Sequence, residues 1–214
     1  MKVLNLYSGL GGNRKLWGNL DIHVTAVENN PRVAKIYSQL FPNDKVIQGD
    51  AHDFLLKNHN KYDFIWSSPP CQSHSRNALT YERYPDLKLY EEIIFLESNH
   101  SSYVVENVIP YYECLIHPTR KVGRHIFWSS VPFETDALPG IPNFYKLGTL
   151  KDAEYLKEYF GINYEGSLYL KTHNPCQALK NCVHPVIGNS IFQQVALGFD
   201  HSMDQLTFDY ERCT

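Results

Sequence analysis

The chain reads as an α/β protein built on a mostly parallel sheet with helices on both faces, and three observations carry that reading. Short apolar runs recur through the first half. Stretches with helical spacing separate them, which is what crossovers between parallel strands require. Chemistry-bearing residues then stand where those runs end: Gly9, Glu28, Asp50, Cys71 and Glu106. The carboxyl edge is where an open parallel sheet binds its ligand.

Taken in order, "KVLNLY" (2–7) has the pattern of a buried strand. Gly9, Gly11 and Gly12 follow, and "NRKLWGNL" has helix-like spacing. "HVTAVE" (23–28) is a second strand, and Pro31 suits the first turn of a helix through "RVAKIYSQL". "KVIQGD" (45–50) and "YDFIWS" (62–67) supply strands three and four. "LKLYEEIIFLESN" has helical periodicity, "SSYVVEN" (101–107) is a fifth strand, and "RHIFWSSVPF" (124–133) is a further candidate. Residues 134–185, rich in proline, glycine and aromatics, read as a small irregular lobe inserted into a main domain of 1–133 and 186–214. "NSIFQQVALGF" (189–199) returns to a helical apolar face.

Composition narrows the function classes. With 214 residues, 43% hydrophobic and 20% charged, the chain suits one globular domain. A formal net charge of −3 gives no global basic field for nucleic acid, although a local cleft can supply one. The 5 cysteines are odd in number and irregularly spaced, so the expected setting is reducing and intracellular, cytoplasmic or nucleoid-associated. Neither a signal peptide nor an apolar run of the ~20 residues a membrane helix needs is expected.

The strand ends carry the chemistry. A glycine-rich turn after the first strand lets a ligand approach the backbone, although such turns also serve ordinary reversals. Glu28 ends the second strand, where a carboxylate can accept hydrogen bonds from both ribose hydroxyls. Asp50 ends the third, where it could meet an adenine amino group or simply cap a helix. The turn lacks the lysine and serine or threonine of a phosphate loop, so a nucleoside cofactor without phosphates fits, and S-adenosyl-L-methionine is the natural candidate. Cys71 follows Pro69 and Pro70, whose rings stiffen the backbone beside that site. A thiolate there can add to C6 of a pyrimidine and leave C5 able to attack a methyl sulfonium. The reaction needs an acid at the ring nitrogen. Glu106, at a buried strand end, can retain its proton because desolvation disfavours the carboxylate.

In this order the motifs resemble those of the cytosine-C5 DNA methyltransferases, along nearly the full chain. "YSGLGG" is similar to the family's Phe-x-Gly-x-Gly-Gly motif, "PPCQSHS" to its Pro-Cys-Gln loop, "ENV" to its glutamate motif, and "GNSI" (188–191) to its late Gly-Asn-Ser motif. The resemblance implies a Rossmann-like S-adenosylmethionine-dependent methyltransferase fold that takes DNA and flips out a cytosine. Cys71 would attack that base and Glu106 would hold it for methylation at C5. It implies cofactor contacts from Tyr7, Ser8, Gly9, Leu10, Gly11, Gly12, Glu28, Asn29, Asp50, Ala51, Pro70, Asn189 and Ser190.

Three departures stand out. Where the family has Gln-x-Arg-x-Arg, this chain reads "RKVGRHIF"; Arg124 is either the equivalent arginine supporting Glu106 and the base, or a solvated strand-end residue. His74 stands where an aromatic is common, and the lobe at 134–185 is short for target recognition. Within it, His173, Cys176, Cys182 and His184 lack the paired spacing of a zinc site, so no metal is expected. The competing functions are an RNA methyltransferase, disfavoured because the Cys-Phe-Thr signature of the transfer-RNA branch is absent, and a catalytically silent binding protein.

Overall fold

The computed structural model describes residues 1–18, 21–76, 84–170 and 174–199. Its strands are β1 (Lys2–Leu6), β2 (His23–Glu28), β3 (Lys45–Gln48), β4 (Phe64–Ser67), β5 (Tyr103–Val108), β6 (Arg120–Val122) and β7 (His125–Ser129). They form one sheet in the order β3-β2-β1-β4-β5-β7-β6. The first five lie parallel, and β7 runs antiparallel to both β5 and β6. The chain winds outward from β1 in one direction through β2 and β3, then restarts beside β1 with β4. That switch opens a crevice at the carboxyl ends of β1 and β4.

Among the described residues there are six α-helices: α1 (Pro31–Leu40), α2 (Ala51–Asn58), α3 (Lys88–Asn99), α4 (Leu150–Tyr159), α5 (Gln177–Lys180) and α6 (Pro185–Leu197). Local chemistry sets several of their ends. Asn30 caps α1, its side chain accepting from the Arg32 and Val33 amides, and Pro31 occupies the first turn. Thr149 and Asp152 form a reciprocal capping box at α4. Gly198, at φ 71°, ends α6 in the left-handed conformation that glycine tolerates without cost to a side chain.

Burial on each side of the sheet explains why the strands are so apolar. One face packs Trp17, Phe64, Trp66, Phe127, Ile191 and Phe192, with Trp17 stacked on Phe192 at 4.2 Å between ring centres. The other packs Leu4, Leu6, Ile65, Ile93, Leu96 and Trp128. A third cluster joins Leu10, Val33 and Ile36 to Ala153, Leu156, Phe160 and Leu179. Residues 134–185 therefore carry α4 and α5, and their buried side chains share a core with α1.

The helix expected from "NRKLWGNL" is absent: residues 13–16 form turns, and 19–20 lie outside the described residues. Tertiary contacts outweigh the local spacing. The Asn13 side chain donates to Asn5 at 2.9 Å, and Trp17 is drawn wholly into the core. The strand β6 and the helices α2, α4 and α5 were not foreseen, and α6 begins four residues before "NSIF" at Pro185. No helix among the described residues is long and apolar enough to cross a membrane.

Candidate active site

The glycine-rich turn leaves β1 through three left-handed residues: Tyr7 (φ 53°), Gly9 (φ 54°) and Gly11 (φ 74°). Glu28, at the end of β2, closes the turn. Its carboxylate accepts from the Gly9 amide at 3.1 Å and the Asn30 amide at 2.9 Å. The glycines divide by what surrounds them. A Cβ at Gly9 would meet nothing nearer than 3.9 Å, which is room for a ligand. A Cβ at Gly11 would collide with the Phe41 ring at 2.4 Å, and one at Gly12 with the Val183 carbonyl at 2.5 Å. Gly11 and Gly12 thus let protein, rather than a ligand, approach the turn.

The remaining expected cofactor residues are similarly divided. Leu10 and Ala51 are buried in apolar cores. Asn29, Asp50 and Pro70 are exposed, and Asp50 caps α2 by accepting from the Asp53 amide at 2.9 Å. Ser190 Oγ accepts from Gln194 at 3.2 Å. Ser8 Oγ and Asn189 Oδ1 are buried with no hydrogen-bond partner. Orphaned buried polar atoms cost about 1–3 kcal/mol each unless a ligand satisfies them. Two such atoms, an open Gly9 and the acid Glu28 suit a nucleoside with hydroxyl and amino groups.

Beneath the turn lies a network that sequence reasoning missed. Glu92 of α3 is fully buried and accepts from Tyr7 Oη and Ser67 Oγ, both at 2.6 Å; His52 Nδ1 lies 3.0 Å away. Burial, reinforced by Glu92, raises the Tyr7 hydroxyl far above its ordinary range, so it donates and stays neutral. The available signal was a carboxylate among Leu89, Ile93 and Leu96, the apolar face of the α3 pattern.

The loop that carries Cys71 springs from β4. Cys71 is partly buried, and its carbonyl accepts from the His74 and Ser75 amides at 3.1 and 2.9 Å, a tight turn. Ser75 bridges to Pro110, the His74 carbonyl accepts from the Tyr111 amide, and the His74 ring contacts Tyr112 Oη. Asn107, beside Glu106, donates to the Pro69 carbonyl at 3.0 Å from a buried position. Sequence reasoning had given Asn107 no task. The structure makes it the tie between the ends of β4 and β5.

Glu106 and Arg124 are among the charges that act on Cys71. Burial raises the Cys71 thiol pKa, Glu106 adds to the rise, and Arg124 opposes it. The Arg124 guanidinium donates to the Cys182 carbonyl at 2.8 Å and lies 4.6 Å over the Phe144 ring. The direct partner of Glu106 is instead His125: its Nδ1 lies 2.5 Å from Oε1, and both side chains are buried. Sequence reasoning missed His125 because its neighbour Arg124 matched the expected residue type. Cys176 and Cys182 are buried in the third core and His184 caps α6, whereas His173 lies outside the described residues.

Comparison with known proteins gives this arrangement its context. The family model for C-5 cytosine-specific DNA methylase matches residues 1–108. The type II methyltransferase M1.HphI of Haemophilus parahaemolyticus is 30% identical over 120 residues, which are 50% of this chain and 32% of that protein. A tRNA (cytosine(38)-C(5))-methyltransferase of Spodoptera frugiperda is 32% identical over 82 residues, 36% of this chain and 25% of that protein. A solved DNMT2 mutant from the same insect matches at 30% identity and a TM-score of 0.38, over 50% of this chain and 35% of that one. The chain spans about a third or less of the length of these curated relatives. The matched region runs from the first residue through the glycine turn to the end of β5 and so takes in Cys71, Glu106 and Asn107; by that match the chain belongs to the C-5 cytosine-specific DNA methylase family.

Proposed function

We propose that the chain is a DNA cytosine-C5 methyltransferase that acts on a flipped cytosine through a covalent Cys71 adduct. The observation that carries this reading is the Asn107–Pro69 hydrogen bond, which ties the loop bearing Cys71 at the end of β4 to the strand bearing Glu106, with Arg124 among the charges acting on the Cys71 thiol. The family's methyl donor is S-adenosyl-L-methionine, and Gly9, Glu28, Ser8 and Asn189 are the residues that would hold it. When bound, it supplies an electrophilic methyl group.

Cys71 Sγ adds to C6 of the base as thiolate. Glu106 gives a proton to the ring nitrogen, which stabilises the charge that addition creates. Arg124 partly offsets the burial that otherwise opposes thiolate formation. The rigid proline turn before Cys71 fixes the line of attack.

Residues 134–185 are proposed to read the target, and their chemistry favours a short one. Their basic residues are Lys146, Lys151, Lys157, Lys171 and Lys180, with no arginine. Lys157 pairs with Glu154, Lys180 donates to the Tyr145 carbonyl, and Lys146 lies near the Tyr145 ring; Lys171 lies outside the described residues. Lysines position phosphates better than they discriminate bases, where each bidentate contact contributes ~1–3 kcal/mol.

The test is methyl transfer to duplex DNA, single-stranded DNA and transfer RNA, with 5-fluorocytosine DNA as a covalent trap. Wild-type protein should be trapped on DNA, and Cys71→Ser should lose both trapping and turnover. Transfer to RNA alone would replace the DNA reading with the second one, which the insect tRNA relative favours. Retained turnover in Cys71→Ser would overturn the covalent mechanism.

A further inference from the structure

We infer that His125 is a positioning residue for Glu106: its Nδ1–H donates to Oε1 and thereby confines the transferable proton to Oε2, the oxygen left to face the base. The inference rests on the C5-methyltransferase reading of the site and concerns a residue that reading leaves without a task.

The geometry begins with register. Glu106 on β5 lies opposite Phe127 on the antiparallel β7, and His125 lies two residues before Phe127 on the same strand face. The two side chains therefore meet on one face of the sheet, with Nδ1 2.5 Å from Oε1 and each nearly excluded from solvent. Burial is the main influence on the ring and lowers its pKa below the ordinary 6.5; Arg124 acts in the same direction and Glu106 opposes them. A neutral ring carries one N–H, so its tautomer decides which oxygen of Glu106 can accept.

Were Nδ1 bare, it would attract the carboxyl proton to Oε1 and point it at β7, away from any base. With the proton on Nδ1, Oε1 is occupied as an acceptor and the carboxyl O–H sits on Oε2. As Cys71 Sγ bonds to C6, the Oε2–H bond breaks and an N–H bond forms at the ring nitrogen. The O–H electron pair stays on Glu106 as carboxylate. That charge develops against the His125 N–H, a donor already in place before the step. No proton leaves His125, so the imidazole remains neutral throughout.

Two substitutions and one spectrum test this. His125→Asn places an amide donor near Nδ1 and cannot titrate, whereas His125→Leu removes the donor. General acid catalysis contributes about 10²–10⁴-fold. Expected are a methyl-transfer rate within about tenfold of wild type for His125→Asn and a loss of at least about 10²-fold for His125→Leu. The KM for S-adenosylmethionine should be unchanged in both. Imidazole ¹⁵N resonances of the wild type, assigned by their loss in His125→Asn, should show a neutral ring protonated at Nδ1. A ring protonated at Nε2 alone overturns the inference, as does a wild-type rate in His125→Leu or an Asn variant as slow as the Leu variant. Should His125→Leu fail to fold, the spectrum and the Asn rate still decide. A wild type that methylates no nucleic acid would instead refute the function proposed above, and the tautomer would be read independently of it.

Discussion

Tyr7→Phe removes one oxygen and tests whether the buried Glu92 network holds the glycine-rich turn. Tyr7 has φ 53°, a conformation that costs a residue other than glycine roughly 1–2 kcal/mol. Its hydroxyl donates at 2.6 Å to Glu92, a fully buried carboxylate. A hydrogen bond to a charged acceptor contributes about 1.5–3 kcal/mol, enough to offset the backbone strain. Phenylalanine keeps the ring and loses the bond, so the variant should be destabilised by about 1.5–3 kcal/mol. In a chain of this size each kcal/mol lowers Tm by about 2–4 °C. Urea unfolding of wild type, Tyr7→Phe, Glu92→Gln and the double variant gives the coupling between the two residues directly. Calorimetric titration with S-adenosylmethionine should show weaker binding in Tyr7→Phe, because the turn that presents Gly9 loses its anchor. A Tyr7→Phe stability within about 0.5 kcal/mol of wild type, the usual range for an inconsequential substitution, with no coupling to Glu92→Gln, would refute the reasoning.

Three further outcomes are expected. Because burial raises the Cys71 thiol and Arg124 opposes that rise, its alkylation by iodoacetamide should accelerate with pH through a midpoint above the usual thiol value, and Arg124→Gln should move that midpoint further up. Peptide mass spectrometry across a pH series reads both, and an unshifted midpoint in the variant would remove Arg124 from the thiol's surroundings. Gly188→Ala would place a Cβ 2.5 Å from the Asn13 carbonyl oxygen and 2.6 Å from its Cα, so backbone must move at an overpacking cost of about 1–3 kcal/mol. Gly49→Ala meets nothing within 4 Å and serves as the control, and equal melting temperatures for the two would contradict the packing. Finally, burial lowers His74, His125 and His184 below the ordinary 6.5. The unfolded chain then binds protons first as pH falls, so these groups make stability decline from about pH 6.5 downward. Urea midpoints at pH 7.5 and 5.5 should differ in that direction, and by less in His125→Asn.

What was legible in the sequence followed burial. The strand β2 covers the same six residues that its V-T-A-V core and polar ends announced, and α1 starts at the expected Pro31. The positions of Cys71 and Glu106 at strand ends were readable because strand, turn and reactive residue are contiguous in the chain. What stayed hidden depended on lateral register. Three residues of β6, two of them basic, carry no apolar pattern, and only pairing with β7 makes them a strand. His125 meets Glu106 through antiparallel pairing across 19 residues, which no local motif encodes. The failed helix at 13–20 shows the same limit, since Trp17 obeys Phe192 rather than its own neighbours.

The contact between Trp17 and Phe192 belongs to a seam that joins the two ends of the described chain. Gly188 sits against the Asn13 backbone, Gly12 sits against Cys182 and Val183, and the Trp17 indole donates to the Gly188 carbonyl. These partners are more than 165 residues apart, so the glycine turn acquires its final shape only after α6 has docked. Closing so long a loop is slow relative to local helix and hairpin formation. The proposed methyl-donor pocket should therefore mature late in refolding, after the parallel sheet has assembled. Stacking of Trp17 on Phe192 supplies an intrinsic optical reporter: its fluorescence change in stopped-flow refolding should coincide with the gain of S-adenosylmethionine binding and follow the far-ultraviolet signal of the helices. An emerging polypeptide would accordingly remain unable to capture methyl donor until its last described helix had left the ribosome.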